Sequence, residues 1–252
     1  MNQVSLEKVD VIGDIHGHHE QLCRLLEKLG YLFKGNSLFH PENRKLGFVG
    51  DFINRGPQSV EVLKFVQALC QDGLAVAVLG NHEFRLIQNS VAGKKIPSEY
   101  EPFIPWLRTL PLFIELDSIR MVHAVWHFSS IELLRGKEVT DDDFVQETMQ
   151  KDSPYKNAVN RILSGIKIHI PQDLTLVDRF GIKRSKGRLK WWLDLRGKSY
   201  ADCFLSPMTP DIFERGPGDD ELFELEPYGE SEKPHPLRHG AWEVYLFTKR
   251  FE

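Results

Sequence analysis

The feature that most constrains this chain is a three-part pattern that occurs three times along it. Each copy has a short, largely apolar run, a polar turn led by glycine, and an amphipathic stretch. The runs occupy positions 9–12, 46–49 and 74–79, and the turns begin at Gly13, Gly50 and Gly80. Strands that alternate with helices favour a parallel sheet, whose carboxyl-terminal edge is where ligands bind. The sequence therefore predicts an α/β fold with the turns gathered at one edge.

Apolar residues at positions 22, 25, 26 and 29 have the spacing of a helix face, and Gly30 predicts its end. A second helix is predicted from Ser59 to Gly73, and a third begins at the turn after Gly80. Further along, a short helix with two prolines is predicted at 102–110, strands at 112–116 and 119–122, and a helix from Ser153 and Pro154.

Polar side chains with metal-binding or phosphate-binding chemistry follow these strands. They are Asp14, His16, Asp51, Arg55, Asn81, His82 and, after the run at 119–122, His123. Oxygen ligands mixed with imidazole suit divalent first-row ions, and two such ions a few ångströms apart form a clamp for phosphoryl transfer to water. The planar guanidinium of arginine suits phosphate oxygens. The sequence thus predicts a two-metal site for a phosphate compound.

In these turns the chain resembles the calcineurin-like metallophosphoesterases. The matching motifs are Asp14-Ile15-His16-Gly17, the segment 50–56 with sequence GDFINRG, Gly80-Asn81-His82-Glu83, and the later His123. The resemblance covers at least positions 9–123, and Arg55 and Glu83 are similar to the phosphoprotein phosphatase branch. Bacterial members of that branch include serine/threonine phosphatases and symmetrical diadenosine tetraphosphatases. The implied fold is α/β, with two packed mixed β-sheets flanked by helices.

The resemblance implies a metal-binding role for five residues. Asp14 and His16 would bind a first ion, Asp51 would bridge both ions, and Asn81 and His123 would bind the second. The implied cofactor is a pair of divalent ions, manganese before iron or zinc. A histidine that ends a strand is often only a hydrogen-bonded core residue, which is the alternative for His123.

The resemblance also implies the chemistry. Arg55 and Asn81 would hold the substrate phosphate, a hydroxide held between the ions would attack phosphorus, and His82 would protonate the leaving oxygen. Many members of the branch have Asp before the arginine, where this chain has Asn54. Because an amide carries no charge to stabilise an imidazolium, we expect His82 to be a weaker acid here or to be oriented differently.

The substrate stays open between two chemical classes. A phosphate monoester, including a phosphorylated protein, is one, and a dinucleoside polyphosphate is the other. An alternative of another kind is a vestigial metallophosphoesterase scaffold that acts as a binding protein. Arg55 and His82 favour an enzyme, since a scaffold needs neither side chain.

The second half of the chain is ambiguous. Arg184 or Arg188 would supply a second phosphate-binding arginine, or else the basic stretch is a solvated hairpin packed over Trp191 and Trp192. Asp141 to Asp143 predict a capped helix start rather than a metal site, and His127 is expected to have a packing or surface role.

A last histidine ligand of the second ion is the weakest part of the resemblance. His239 and His235 are the candidates, but no apolar strand leads into either of them, and two prolines flank His235. The pattern favours a shortened or frame-altered tail. We expect one domain, 1–252, with a motif core at 9–127 and an irregular segment, basic then acidic, at 170–252.

Composition bounds the partners and the compartment. With 32 Lys and Arg against 36 Asp and Glu, the net charge is −4, and this charge does not predict a nucleic-acid partner. The expected partner is a phosphorylated protein or a small phosphorylated molecule. Cys23, Cys70 and Cys203 have no paired spacing, which is typical of a reducing compartment. With no secretory leader and no run of membrane-spanning length, the expectation is a cytoplasmic protein.

Overall fold

The computed structural model of the 252-residue chain describes residues 8–34, 37–116, 119–171, 176–177, 182–205 and 217. His235 and His239 lie outside these ranges, as does nearly all of the acidic segment. The prediction about the last metal ligand therefore stays a prediction.

The strands follow one another in chain order. They are β1 (Val9–Ile12), β2 (Leu32–Lys34), β3 (Ser37–Phe39), β4 (Lys45–Phe48), β5 (Ala75–Ala77), β6 (Phe113–Leu116), β7 (Ile119–Val122), β8 (Lys167–His169), β9 (Leu176–Val177), β10 (Lys183–Arg184) and β11 (Lys186–Arg188).

The helices lie between and after these strands. They are α1 (His19–Lys28), α2 (Ser59–Gln71), α3 (Asn81–Val91), a 3-10 helix (Ser98–Phe103), α4 (Ile104–Leu107), α5 (Phe128–Leu134), α6 (Asp142–Glu147), α7 (Pro154–Ser164) and α8 (Tyr200–Cys203).

The three predicted strand-turn-helix units form the centre of the fold. β1, β4 and β5 make a parallel sheet in that order, which confirms the predicted parallel pairing. β5 is shorter than the apolar run at 74–79, but Val78 still donates its N–H to the carbonyl of Phe48 at 2.9 Å. All three strands end at the same edge, so their turns are brought together there.

A second sheet layer covers one face of this parallel sheet. β6 and β7 form an antiparallel hairpin, and its Ile119 and Met121 make a buried cluster with Val49 and Val78. Alternate residues such as Phe48 point to the other face. There the larger core includes the apolar sides of α1 and α2. This is the predicted α/β arrangement of packed sheets flanked by helices.

The second half of the chain packs against the end of β7. The N–H of Ala124 donates to the carbonyl of Ile162 in α7 at 2.9 Å, and its carbonyl accepts from the ring N–H of Trp191 at 3.1 Å. Trp191 is buried and Trp192 is half-buried, so both tryptophans contribute to the core that follows β7, and the choice between the two interpretations of the basic stretch stays open. The basic stretch itself supplies β10 and β11.

The helix starts follow the predicted capping chemistry. Asp141 caps α6, since its carboxylate accepts from the N–H of Asp143 at 2.9 Å. Ser153 lies at the predicted N-cap position of α7 and Pro154 begins the helix, but the Ser153 side chain makes no capping hydrogen bond. His127 is buried and accepts from the N–H of Ser130 at 3.2 Å, which is a structural role.

The predicted proline-containing helix at 102–110 differs in detail. It is a 3-10 helix that contains Pro102, followed by the four-residue α4 with a proline in its first turn. Proline lacks the N–H that an α-helix interior needs, and the tighter 3-10 turn accommodates it. Among the described helices the longest, α2, has 13 residues, whereas crossing a bilayer takes about 20 apolar ones.

Candidate active site

The turn after β4 is the point on which the other turns converge. Asp51 has a left-handed backbone, with φ of +56°. Its carbonyl accepts from the N–H groups of Ile15 at 3.1 Å and His16 at 2.8 Å, and its Oδ1 accepts from the N–H of His82 at 3.1 Å. Asp51 is therefore hydrogen-bonded to both neighbouring turns, and its carboxylate is fixed between them.

Glu83, the third residue of α3, holds this turn from beneath. Its Oε2 accepts from the N–H groups of Asp51 at 2.8 Å and Gly80 at 3.2 Å, and its Oε1 accepts from those of Phe52 at 2.8 Å and Ile53 at 3.1 Å. The side chain is fully buried. Burial, and then the charge of Asp51, raise the pKa of Glu83 to about 7, against the lowering effect of these N–H groups.

Sequence reasoning used Glu83 only as a mark of the family branch and missed this role. A carboxylate at the third position of a helix is a known capping signal, and it explains the bond to Gly80. The three bonds to the turn at 51–53 cross 30 residues or more, and no local pattern predicts them.

Two turns can approach this closely because both begin with glycine. A Cβ on Gly50 would lie 2.1 Å from the backbone nitrogen of Gly80, and one on Gly80 would lie 2.2 Å from the nitrogen of Asp51. Gly50 also has φ of +92°, which strains other residues. Glycine at these positions is a requirement of the site geometry.

Backbone carbonyls set the proton positions of two histidines. The Nδ1 of His16 donates to the carbonyl of Ile53 at 3.0 Å, and the Nδ1 of His123 donates to that of Val49 at 2.7 Å. A neutral imidazole with its proton on Nδ1 has a lone pair on Nε2. The two Nε2 atoms face Oδ2 of Asp51, at 3.4 Å and 3.6 Å.

These atoms form a cluster suited to cations. Ligand atoms of His16, Asp51 and His82 lie within 4.8 Å of one another, and so do those of Asp14, Asp51 and His123. Asp51 belongs to both groups. Within the described residues, the buried Oδ1 of Asp14 and Nε2 of His16 have no hydrogen-bond partner. Acceptor atoms that face one another without a proton between them are repulsive unless a cation lies among them. The donor set therefore fits divalent metal ions.

Asn81 and His123 also lie together, with 3.2 Å between Asn81 Oδ1 and His123 Nε2. This agrees with the pair that the resemblance assigned to one ion. The grouping of His82 with His16 and Asp51 adds an alternative, in which the ring of His82 is a ligand. Which residue holds which ion stays a prediction.

Asn54 is the partner of His82. Its Nδ2 lies 2.7 Å from Nδ1 of His82, and an amide nitrogen can only donate. Burial lowers the pKa of His82, the charge of Asp51 opposes this, and the charges of His16 and Arg55 add to it. An N–H donor aimed at Nδ1 likewise disfavours the imidazolium. Both effects reduce the fraction of His82 that carries a second proton near neutral pH. The role of His82 as the acid stays a prediction.

The three predicted phosphate-binding arginines differ in position. Arg55 is exposed, with φ of +70°, and its charge acts on both His82 and Arg188. Desolvation of the Arg188 guanidinium lowers the pKa of Arg188, while the charges of Asp14 and Asp51 raise it. The charge of Arg188 thus reaches the cluster around Asp51, although 137 positions separate Asp51 and Arg188 in the sequence. Arg184 is exposed on β10, and its charge acts on Lys167.

The stem of Arg188 crosses Gly165, the residue after α7. A Cβ on Gly165 would lie 2.9 Å from Cγ and Cδ of Arg188 and 3.1 Å from its Nε. The glycine therefore leaves room for the path of this side chain.

The fold and the cluster around Asp51 define an α/β protein with a metal-binding site at the carboxyl ends of its parallel strands. A family model described as calcineurin-like phosphoesterase matches residues 7–182. This is more than half of the chain, and the chain belongs to that family.

Relatives with assigned names agree with the family. A bis(5'-nucleosyl)-tetraphosphatase of Oceanobacillus iheyensis, PrpE, named as asymmetrical, is 35% identical over 151 residues, which cover 52% of this chain and 60% of the relative. The PrpE of Geobacillus sp. (strain WCH70), also named as asymmetrical, is 47% identical over 137 residues, covering 46% and 56%. A symmetrical bis(5'-nucleosyl)-tetraphosphatase of Aromatoleum aromaticum is 36% identical over 125 residues, covering 45% and 42%. The chain thus spans about half the length of these relatives.

Proposed function

We propose that this chain hydrolyses a phosphoanhydride bond of a dinucleoside polyphosphate in a metal-dependent reaction. The observation that carries the activity is the cluster in which two histidine lone pairs and Asp14 face the shared carboxylate of Asp51. The names of the relatives favour this substrate class over the phosphate monoester that the sequence alone placed first.

The residues around the cluster have separate roles in the proposed reaction. Asp14, His16, Asp51, Asn81 and His123 would hold divalent ions, whose charge would stabilise the negative charge that develops on the phosphoryl oxygens and would favour attack by water. Arg55 and Arg188 offer guanidinium forks to the oxygens of the reacting phosphate. His82 gives a proton to the leaving oxygen, and Asn54 holds its ring. Manganese is the proposed ion.

A phosphorylated protein is the second candidate substrate, and it would bind at the same site.

We also propose a cytoplasmic location. Cys23, Cys70 and Cys203 are free thiols, as expected in a reducing compartment.

The product pattern of purified protein tests the substrate. With added Mn²⁺, we expect hydrolysis of p-nitrophenyl phosphate, and a higher kcat/KM for diadenosine tetraphosphate than for a phosphopeptide. Chromatography of the nucleotides then shows whether cleavage gives two ADP or ATP with AMP, which distinguishes symmetrical from asymmetrical attack. Preference for the phosphopeptide would overturn the proposed substrate. Absence of all turnover would favour the binding-protein alternative.

The fall in kcat that follows removal of His82, the proposed acid, should depend on the leaving group of the substrate. We expect His82→Ala to lower kcat by about a hundredfold to ten thousandfold for an alkyl phosphate. The loss should be much smaller for p-nitrophenyl phosphate, because a good leaving group needs little protonation. Equal losses for both substrates would contradict the acid role. Metal content measured on the same variant decides the alternative, since a ligand role for His82 predicts loss of an ion.

Removing Arg188 should weaken productive binding of phosphate. A hydrogen bond to a charged group contributes about 1.5–3 kcal/mol, so we expect Arg188→Ala to lower kcat/KM by about tenfold to a hundredfold. Arg24→Ala, on the exposed side of α1, is the matched control for loss of an arginine. A kcat/KM equal to that of the control would show that Arg188 is only part of a solvated hairpin.

A further inference from the structure

The ribbon of β8 and β11 has one buried face and one exposed face. The antiparallel register pairs Lys186 with His169, Gly187 with Ile168, and Arg188 with Lys167. The middle pair is buried and both outer pairs are exposed. Since residues opposite each other in an antiparallel pair share a face, the four outer side chains all lie on the solvent face.

One end of this exposed face carries Arg188, whose charge interacts with the candidate metal cluster. The charge of Arg188 acts on Asp14 and Asp51, and the aliphatic part of its side chain crosses Gly165, two residues before β8. Lys167 is directly opposite Arg188. Lys186 lies two residues before Arg188 on β11, which corresponds to about 7 Å along the strand. A cationic path therefore leads from the cluster along the ribbon.

The cations of the ribbon act on one another. Desolvation first, and then the charges of Arg188, Lys186 and Arg184, lower the pKa of Lys167. Like charges gathered at one place repel, and a bound anion relieves the repulsion. The net charge of −4 for the whole chain conceals this local positive surface.

We propose that Lys167 and Lys186, continuing from Arg188 on the exposed face of the ribbon, form a subsite for the phosphate groups of a polyphosphate substrate beyond the phosphate under attack. Lysine ammonium groups are point charges that bind phosphate oxygens without fixed geometry, which suits a flexible polyphosphate chain. A monoester has no second phosphate to place there. The subsite thus gives the enzyme a preference for substrates with several linked phosphates, and in this respect it rests on the proposed function.

The test compares substrates with one and with several phosphates. The Lys167→Ala/Lys186→Ala double variant should lower the ratio of kcat/KM for diadenosine tetraphosphate to that for p-nitrophenyl phosphate by about tenfold, from two exposed charge contacts. The matched control is Lys64→Ala/Lys94→Ala, which removes two exposed lysines elsewhere and should keep the wild-type ratio. An equal ratio in both double variants would overturn the proposal.

Binding of inorganic tripolyphosphate separates the subsite from the proposed reaction. In calorimetry with Mn²⁺-loaded protein, we expect the Kd of tripolyphosphate to rise about tenfold in the ribbon variant relative to the control. The Kd of orthophosphate should rise much less. If wild-type protein hydrolyses no dinucleotide, the proposed function fails while this binding measurement still decides the subsite. A tripolyphosphate Kd equal to that of the control would refute the subsite.

Discussion

Asp51→Asn should abolish turnover and lower the number of bound metal ions. Asp51 is the carboxylate shared by both candidate ligand groups, and an amide carries no charge to share between two cations. Losing several kcal/mol of charge stabilisation in the transition state corresponds to a fall in kcat of about a thousandfold or more. Elemental analysis of protein loaded with Mn²⁺ should show fewer ions per chain than in the wild type.

The stability of this variant tells a site effect from misfolding. An asparagine oxygen can still accept the bond from the N–H of His82, and the carbonyl bonds of residue 51 are unaffected. Without its carboxylate, the repulsion from Asp14 and from the lone pairs of His16 and His123 is weaker. We therefore expect the metal-free variant to have a Tm at least equal to that of metal-free wild type. Asp72→Asn, at the exposed end of α2, is the control. Normal metal content and activity in Asp51→Asn would exclude a shared carboxylate.

Glu83→Gln should destabilise the fold and the site together. Each carboxylate oxygen of Glu83 accepts two backbone N–H groups. Whichever oxygen becomes the amide nitrogen, two buried N–H groups then face another donor. At about 1–3 kcal/mol for each unsatisfied group, we expect a loss of about 2–6 kcal/mol in the free energy of unfolding. For a domain of this size, this loss lowers the Tm by about 4–24 °C.

The same substitution should weaken metal binding, although Glu83 does not belong to either ligand group. The turn that carries Asp51 is held in its left-handed conformation by these bonds, and loosening a supporting residue typically costs about ten- to a hundredfold in metal affinity. Glu61→Gln, exposed on α2, is the matched control. Thermal unfolding and Mn²⁺ titration measure the two effects. A variant with the Tm and the Mn²⁺ affinity of the control would show that Glu83 does not support the turn.

The local sequence was sufficient for the elements and for the identity of the polar residues at the strand ends. β1 and β7 have the predicted bounds, and α2 begins at the predicted Ser59. A strand, a glycine-led turn and a helix each leave a pattern within a few residues, so their chemistry can be read from neighbours in the chain. The resemblance added the order of the motifs and the expected pairing of ligands.

The tertiary structure alone decided how that chemistry is held in place. The proton positions of His16 and His123 depend on the carbonyls of Ile53 and Val49, and every residue has a carbonyl, so no residue type signals such a partner. The bonds of Glu83 to the turn at 51–53 and the reach of Arg188 to Asp51 join segments far apart in the sequence. Sequence reasoning left Arg188 undecided between phosphate binding and a solvated hairpin. Packing sets the ribbon register and the space over Gly165, and in this position the charge of Arg188 acts on Asp14 and Asp51. Phosphate binding by Arg188 stays a proposal.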